Sequence, residues 1–184
     1  FLQGNPPADL ATVTYALGAE MLLLAGVTTT HEDAHALMRD AIASGRAAER
    51  FRAIIEAQGG DPRVVDDVSL LPSAPARIEY VASRDGIVQR VEPRAIGHGV
   101  VALGGGRRAM HDIVDPGVGF DILVKPNATV AAGDVIAIIH AADDAGGVTG
   151  RGVLDHAISI GDTRVDVLPL VSHRITSAAV ERLQ

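Results

Sequence analysis

The chain has 184 residues, 47% of them hydrophobic, enough for one ordinary domain or two small ones and too apolar for a disordered segment. Sixteen Lys and Arg against 23 Asp and Glu give a net charge of −7, which argues against a general binder of nucleic-acid backbone. Cysteine is absent, which excludes a disulfide scaffold, a thiolate zinc site and a Cys nucleophile. A reducing cytoplasm is the expected setting, with no membrane association. The longest apolar run, Met21 to Ala25, is far too short to span a bilayer. Phe1 stands where a translated chain has Met, and this leads us to expect a stretch of something longer.

Residues 1–62 read as helices. Asp9 is expected to cap the first, with Leu10, Val13, Leu17, Met21 and Leu24 at helical spacing and Gly26 ending it. Thr30 caps a second helix, with Ala34, Leu37, Met38, Ala41 and Ile42 on one face. A third runs from about Arg46 to Ala57 and buries Phe51, Ile54 and Ile55; Gly59, Gly60 and Pro62 stop it. Residues 63–76 form a proline-marked linker.

Residues 77–184 read as a β-rich domain. Ile78, Tyr80 and Ala82 alternate with polar neighbours, and Arg84-Asp85-Gly86 reads as a turn. Strands are expected at 87–91, 100–103, 120–124 and 135–140, then a late helix near 151–159 and an extended segment at 165–171. The strand and Gly133-Asp134 turn within 124–136, taken with Asp85-Gly86-Ile87-Val88, resemble the two halves of a barrel-sandwich hybrid. Carrier domains of that shape present a modified Lys in a tight turn, and here 138–144 has none. The expected class is therefore α+β, with helices followed by a module resembling a barrel-sandwich hybrid.

Three constellations can carry chemistry. His31-Glu32-Asp33-Ala34-His35 is a literal His-Glu-x-x-His, which on a helix lets two imidazoles share zinc while Glu32 acts as base, with Glu56 a possible third ligand. Against this, the motif sits in the first turn of a surface helix, where Glu32 suits the helix dipole without any metal. Gly104-Gly105-Gly106-Arg107-Arg108 can cradle an anion on backbone N–H groups, but it lacks the Gly-Lys-Ser/Thr end of a phosphate-binding loop. Asp112 and Asp115 can do acid/base work, although Asp beside Pro and Gly more often makes a turn. His98, His111, His140, His156 and His173 have no convincing triad partners in sequence.

The order of the pieces carries a resemblance. Pro7-Ala8-Asp9-Leu10, Leu17-Gly18-Ala19-Glu20-Met21-Leu22, Ala57-Gln58-Gly59-Gly60-Asp61-Pro62, Leu103-Gly104-Gly105-Gly106-Arg107, Asp112-x-x-Asp115-Pro116 and Val130-x-x-Gly133-Asp134 follow one another. Together they resemble the C-terminal part of the pyrimidine-nucleoside (thymidine) phosphorylases. The resemblance implies phosphorolysis. Inorganic phosphate is the co-substrate, a pyrimidine nucleoside the substrate, no organic cofactor is used, and the enzymes are homodimers with a cleft that closes. It also implies that 1–62 belong to the parent's α/β domain. The family's phosphate loop, its base-reading Arg, Ser and Lys, and its cation ligands find no counterpart here. No catalytic residue, cofactor site or metal ligand is therefore expected on this chain. Gly104, Gly105, Gly106 and Arg107 are the only substrate-side candidates, as a loop at the cleft edge. The chain alone is expected to be inactive. The rival readings are a zinc hydrolase using His31, Glu32 and His35, and a non-catalytic barrel-sandwich binding module.

Overall fold

A computed structural model describes residues 1–183. In chain order it contains α1 (Ala8–Leu24), α2 (His31–Ala43), α3 (Arg46–Ala57), β1 (Ala76–Val81), β2 (Gly86–Val91) and α4 (Pro93–Leu103). There follow β3 (Gly119–Ile122), β4 (Thr129–Val130), β5 (Val135–Ala141), α5 (Asp144–Ala157), β6 (Ile158–Gly161), β7 (His173–Ile175) and β8 (Val180–Arg182). The class is α+β. The chain forms two compact units: 1–70 together with the segment from Leu168 onward, and Leu71–Val167.

In the first unit the helix ends are set by local chemistry. Thr30 accepts the N–H of Asp33 and caps α2 as its sequence indicates. Asp9 is not the cap of α1: the helix starts one residue earlier, behind Pro7, and Asp9 lies in its first turn. Gly26 (φ +67°) and Gly59 (φ +80°) occupy the left-handed position past α1 and α3. The following N–H groups close back, Val27 onto Leu22 and Gly60 onto Ile55. The hairpin β7–β8 is bound to α1 by Arg174, whose Nε and Nη2 donate to the two Glu20 oxygens at 2.7 and 3.1 Å. Among the described residues, the buried hydrophobic residues of this unit are three alanines, Ala19, Ala34 and Ala48.

The second unit holds the hydrophobic core. Two three-stranded antiparallel sheets, ordered β1-β5-β3 and β4-β2-β6, contribute Ile136, Ile139 and Val88, and α5 contributes Leu154. β5 is the middle strand of its sheet, and Ile136, Ala137, Ile138 and Ile139 are buried in succession, so both of its faces are covered. Helix α5 approaches closely because it carries glycine where it meets the sheet. A Cβ on Gly147 would lie 2.4 Å from Ile78 Cδ1 and one on Gly150 2.5 Å from Ile139 Cγ2. The turn before β5 is tied by acids: Asp85 accepts the Ala132 N–H and Asp134 that of Ala131.

Four sequence-based expectations fail here. Residues 100–103 are the last turn of α4, not a strand: Glu92 accepts the Arg94 N–H, Pro93 opens the helix, and Gly99 packs under Val153. The late helix starts at Asp144 behind the Asp143 cap, and Ser159 is already in β6. Segment 165–171 is not a strand; ordered pairing resumes only at β7. Phe51 and Ile54, expected to be buried by α3, are exposed.

Candidate functional site

The loop after α4 is the sequence-predicted substrate-side element, and its glycines have a local reason. Gly104 lies at φ +101°, beyond the reach of most side chains. Its N–H returns to Val101 and that of Gly105 to Val100, the paired closure that ends a helix. A Cβ on Gly105 would stand 2.7 Å from Val100 Cγ1, and one on Gly106 2.7 Å from Val101 Cγ2. Gly104–Gly106 therefore fold back over the helix end. A helix C-terminus carries partial negative charge and does not attract phosphate.

Further along the loop, the groups that could hold an anion are already engaged. Asp112 accepts the backbone N–H of Arg108 at 2.8 Å and of Ala109 at 2.9 Å. Those two hydrogen bonds, Ala109's foremost, hold the Asp112 carboxyl below its ordinary value, with the Arg108 charge adding to them. Asp115 donates its own N–H to the Gly104 carbonyl and accepts that of Gly117 at 2.9 Å. Gly117 in turn is obligatory, since a Cβ there would sit 2.8 Å from the Ala74 nitrogen. Both acids are turn formers. The Arg107 and Arg108 residues are exposed, as are Met110 and Ile113 on the same loop, at 84% and 94%.

The His-Glu-x-x-His motif does not assemble a metal centre. His31 Nε2 lies 2.7 Å from Glu20 Oε1 on α1, and Glu20 is the carboxylate already engaged by Arg174. Those bonds, from Arg174 first and His31 second, lower the Glu20 carboxyl below its usual range. His35 instead turns inward, where its ring meets Tyr15 edge-on at 5.9 Å and its Nε2 is buried. Among the described residues no three His, Asp or Glu side chains stand close enough to share a metal ion. Glu20, eleven residues upstream of His31, is the partner that sequence spacing did not indicate; the signal is only that both lie on neighbouring antiparallel helices.

Two other polar pairs were not legible in the sequence. His140 Nε2 and Asp121 Oδ2 meet at 2.9 Å across β5 and β3, on one face of the sheet. Tyr80 donates to Asp155 at 2.8 Å between β1 and α5. Burial, and then the Asp155 carboxylate, push the Tyr80 phenol up to about 12. His156 Nδ1 lies 2.7 Å from the Gly152 carbonyl within α5. No helix among the described residues is long and apolar enough to cross a membrane.

Residues 87–160, which contain the loop and most of both sheets, match the family model of the pyrimidine nucleoside phosphorylase C-terminal domain. A pyrimidine-nucleoside phosphorylase of Staphylococcus aureus (strain USA300) is 37% identical over 175 residues, covering 95% of this chain and 40% of the relative. Those of Staphylococcus haemolyticus and Staphylococcus epidermidis (strain ATCC 12228) are 38% and 36% identical over 139 residues, 76% of this chain and 32% of each relative. The chain thus spans about a third to two fifths of the length of the relatives it matches. By sequence along nearly its whole length and by the domain at 87–160, it belongs to the pyrimidine-nucleoside phosphorylase family, as a C-terminal part.

Proposed function

We propose that this chain is the non-catalytic, C-terminal portion of an enzyme that transfers the pentosyl group of a pyrimidine nucleoside to inorganic phosphate. In that reaction a phosphate oxygen forms a bond to the anomeric carbon while the carbon–nitrogen bond to the base breaks. The nitrogen keeps the electron pair and takes up a proton, so free base and pentose 1-phosphate leave. The family match over 95% of the chain carries the reading.

Assigning the chemistry elsewhere in the polypeptide is supported by the loop geometry. Stabilising a departing base and a phosphate nucleophile needs several convergent donors and cations. Here the Arg108 and Ala109 backbone N–H groups are spent on Asp112, which leaves the exposed side chains of Arg107 and Arg108 as the loop's contribution to a cleft edge. On this reading 1–62 belong to the parent's α/β domain, 63–76 join the domains, and 77–184 form the β-rich phosphorylase domain, apart from the segment from Leu168 onward that packs with the helices. Its two facing sheets are read as the halves of a barrel-sandwich hybrid. The parent works in the cytoplasm as a homodimer, without an organic cofactor.

The test is phosphorolysis by the complete polypeptide encoded by the gene, with thymidine and uridine supplied separately and base release followed by absorbance. Release that requires phosphate supports the reading and shows which base is preferred. Release without phosphate, or none from either nucleoside, overturns it.

A further inference from the structure

The helical unit holds an open cavity of about 510 Å³ between α1, α2 and the segment that returns after Leu168. That volume lies in the range of small-molecule sites, roughly 300–1,000 Å³. Leu170, Val171 and Leu183 form an apolar wall, and Leu170 is 63% exposed. Tyr15 of α1 and His35 and Arg39 of α2 form the polar side. His35 and Arg39 are four residues apart, so they share one face of α2 a turn from each other. Among the described residues no carboxylate lines this cavity.

Two of its polar groups lack partners. His35 Nε2 is buried and makes no hydrogen bond to any described residue, a state that buried polar atoms rarely tolerate. The edge-on Tyr15 ring, 5.9 Å away, fixes the plane of the imidazole. Arg46, Arg52, Arg63 and Arg174 of the same unit each engage a carboxylate, whereas Arg39 engages none among the described residues. We propose that this cavity binds a carboxylate with an apolar body. The carboxylate accepts from the Arg39 guanidinium and from His35, with the imidazole proton on Nε2, and so meets both needs at once. The apolar body covers Leu170, Val171 and Leu183. A bare inorganic anion leaves that wall wet, and the single guanidinium balances one negative charge rather than the two of a phosphate ester. Nothing in this depends on the phosphorylase reading.

Octanoate is the test ligand and octanol its uncharged counterpart. Calorimetry measures both on the 184-residue chain and on the complete polypeptide encoded by the gene. The native sequence is compared with Arg39→Gln and with Arg46→Gln, a control whose arginine does not line the cavity. A nitrogen-15 spectrum of the histidine rings follows His35 Nε2, and His35→Leu assigns its signal. Octanoate is expected to bind both forms at least about tenfold more tightly than octanol. Arg39→Gln should weaken it at least about tenfold, Arg46→Gln should leave it unchanged, and octanoate alone should shift the His35 Nε2 signal. Equal affinity for octanol, indifference to Arg39→Gln or an unmoved His35 signal overturns the proposal and assigns the uptake to exposed apolar surface. Binding that the 184-residue chain shows and the complete polypeptide loses also overturns it, because the rest of the polypeptide then fills the cavity. So does the absence of binding to either form.

Discussion

Asp112 accepts the N–H of Arg108 at 2.8 Å, so the loop that looks most like an anion cradle already holds its own acid. The relationship has a pH signature. Because the Asp112 carboxyl is lowered in the folded chain, its contribution to the loop is complete above the ordinary Asp range and is lost as pH falls through the lowered value. Amide protection at Arg108 and Ala109, relative to the intrinsic exchange rate at each pH, is expected to fall with Asp112→Asn at neutral pH, and in the native chain only at acid pH. Unchanged exchange in Asp112→Asn would show that the carboxylate does not order the loop.

Gly150 and Gly152 of α5 should respond to alanine with opposite signs. At Gly150 the new methyl meets Ile139 at 2.5 Å inside the core, an overpacking expected to cost about 1–3 kcal/mol. At Gly152 nothing lies within 4 Å, and alanine should stabilise by about 0.5–1 kcal/mol through helix preference and a less flexible unfolded chain. Urea unfolding of the two variants checks the pair. Equal effects would mean that α5 does not sit on Ile139 as described.

These glycines also show where the sequence stops being informative. Thr30, Gly26 and the Gly59-Gly60 stop mark the helix ends of 1–62 because capping is local chemistry. The start of α5 is hidden because Gly146, Gly147, Gly150 and Gly152 lower its intrinsic helix preference, and only packing on β1 and β5 repays that loss. The β-branched pair Val100-Val101 after Gly97 and Gly99 reads as a strand for the same reason; contact with Val153 and Phe120 selects the helix. In the candidate site the residues are visible in sequence, but their roles are not. Nothing in Gly104–Asp112 says that the glycines close a helix and that the acid occupies the N–H groups, because both depend on backbone direction.

The Arg174–Glu20–His31 group anchors the β7–β8 hairpin to the helices, and it should let go in acid. The Glu20 carboxyl is lowered by Arg174 and then His31, so its contribution is present above about pH 4.5, the ordinary value, and declines as pH falls through the lowered one. Both Glu20 and Arg174 side chains are about one-third exposed, at 34% and 31%, so the effect is modest and screened by salt. Glu20→Gln should raise amide exchange in β7 and β8 at pH 7 without touching the β5 core. Protection of the hairpin equal to that of the native chain would contradict this anchoring.

Tyr80 provides a check at the other end of the pH scale. Its phenol is raised to about 12, so folding favours the protonated form; the contribution is complete below pH 10 and is lost as pH rises toward 12. Tyr80→Phe removes the donor to Asp155 and should flatten the alkaline fall in stability between those limits. An ultraviolet titration in which Tyr80→Phe and the native chain lose no different late-ionising phenol would count against the pair.

The proposed function places the phosphorylase chemistry elsewhere in the polypeptide. Its most direct test is phosphate-dependent release of thymine from thymidine by the 184-residue chain, shown to be folded by circular dichroism and purified beside a mock preparation. A folded chain with no release above the mock is the predicted result. Sustained turnover absent from the mock would contradict it, and Arg107, Arg108 and Asp112 would then be the first residues to replace.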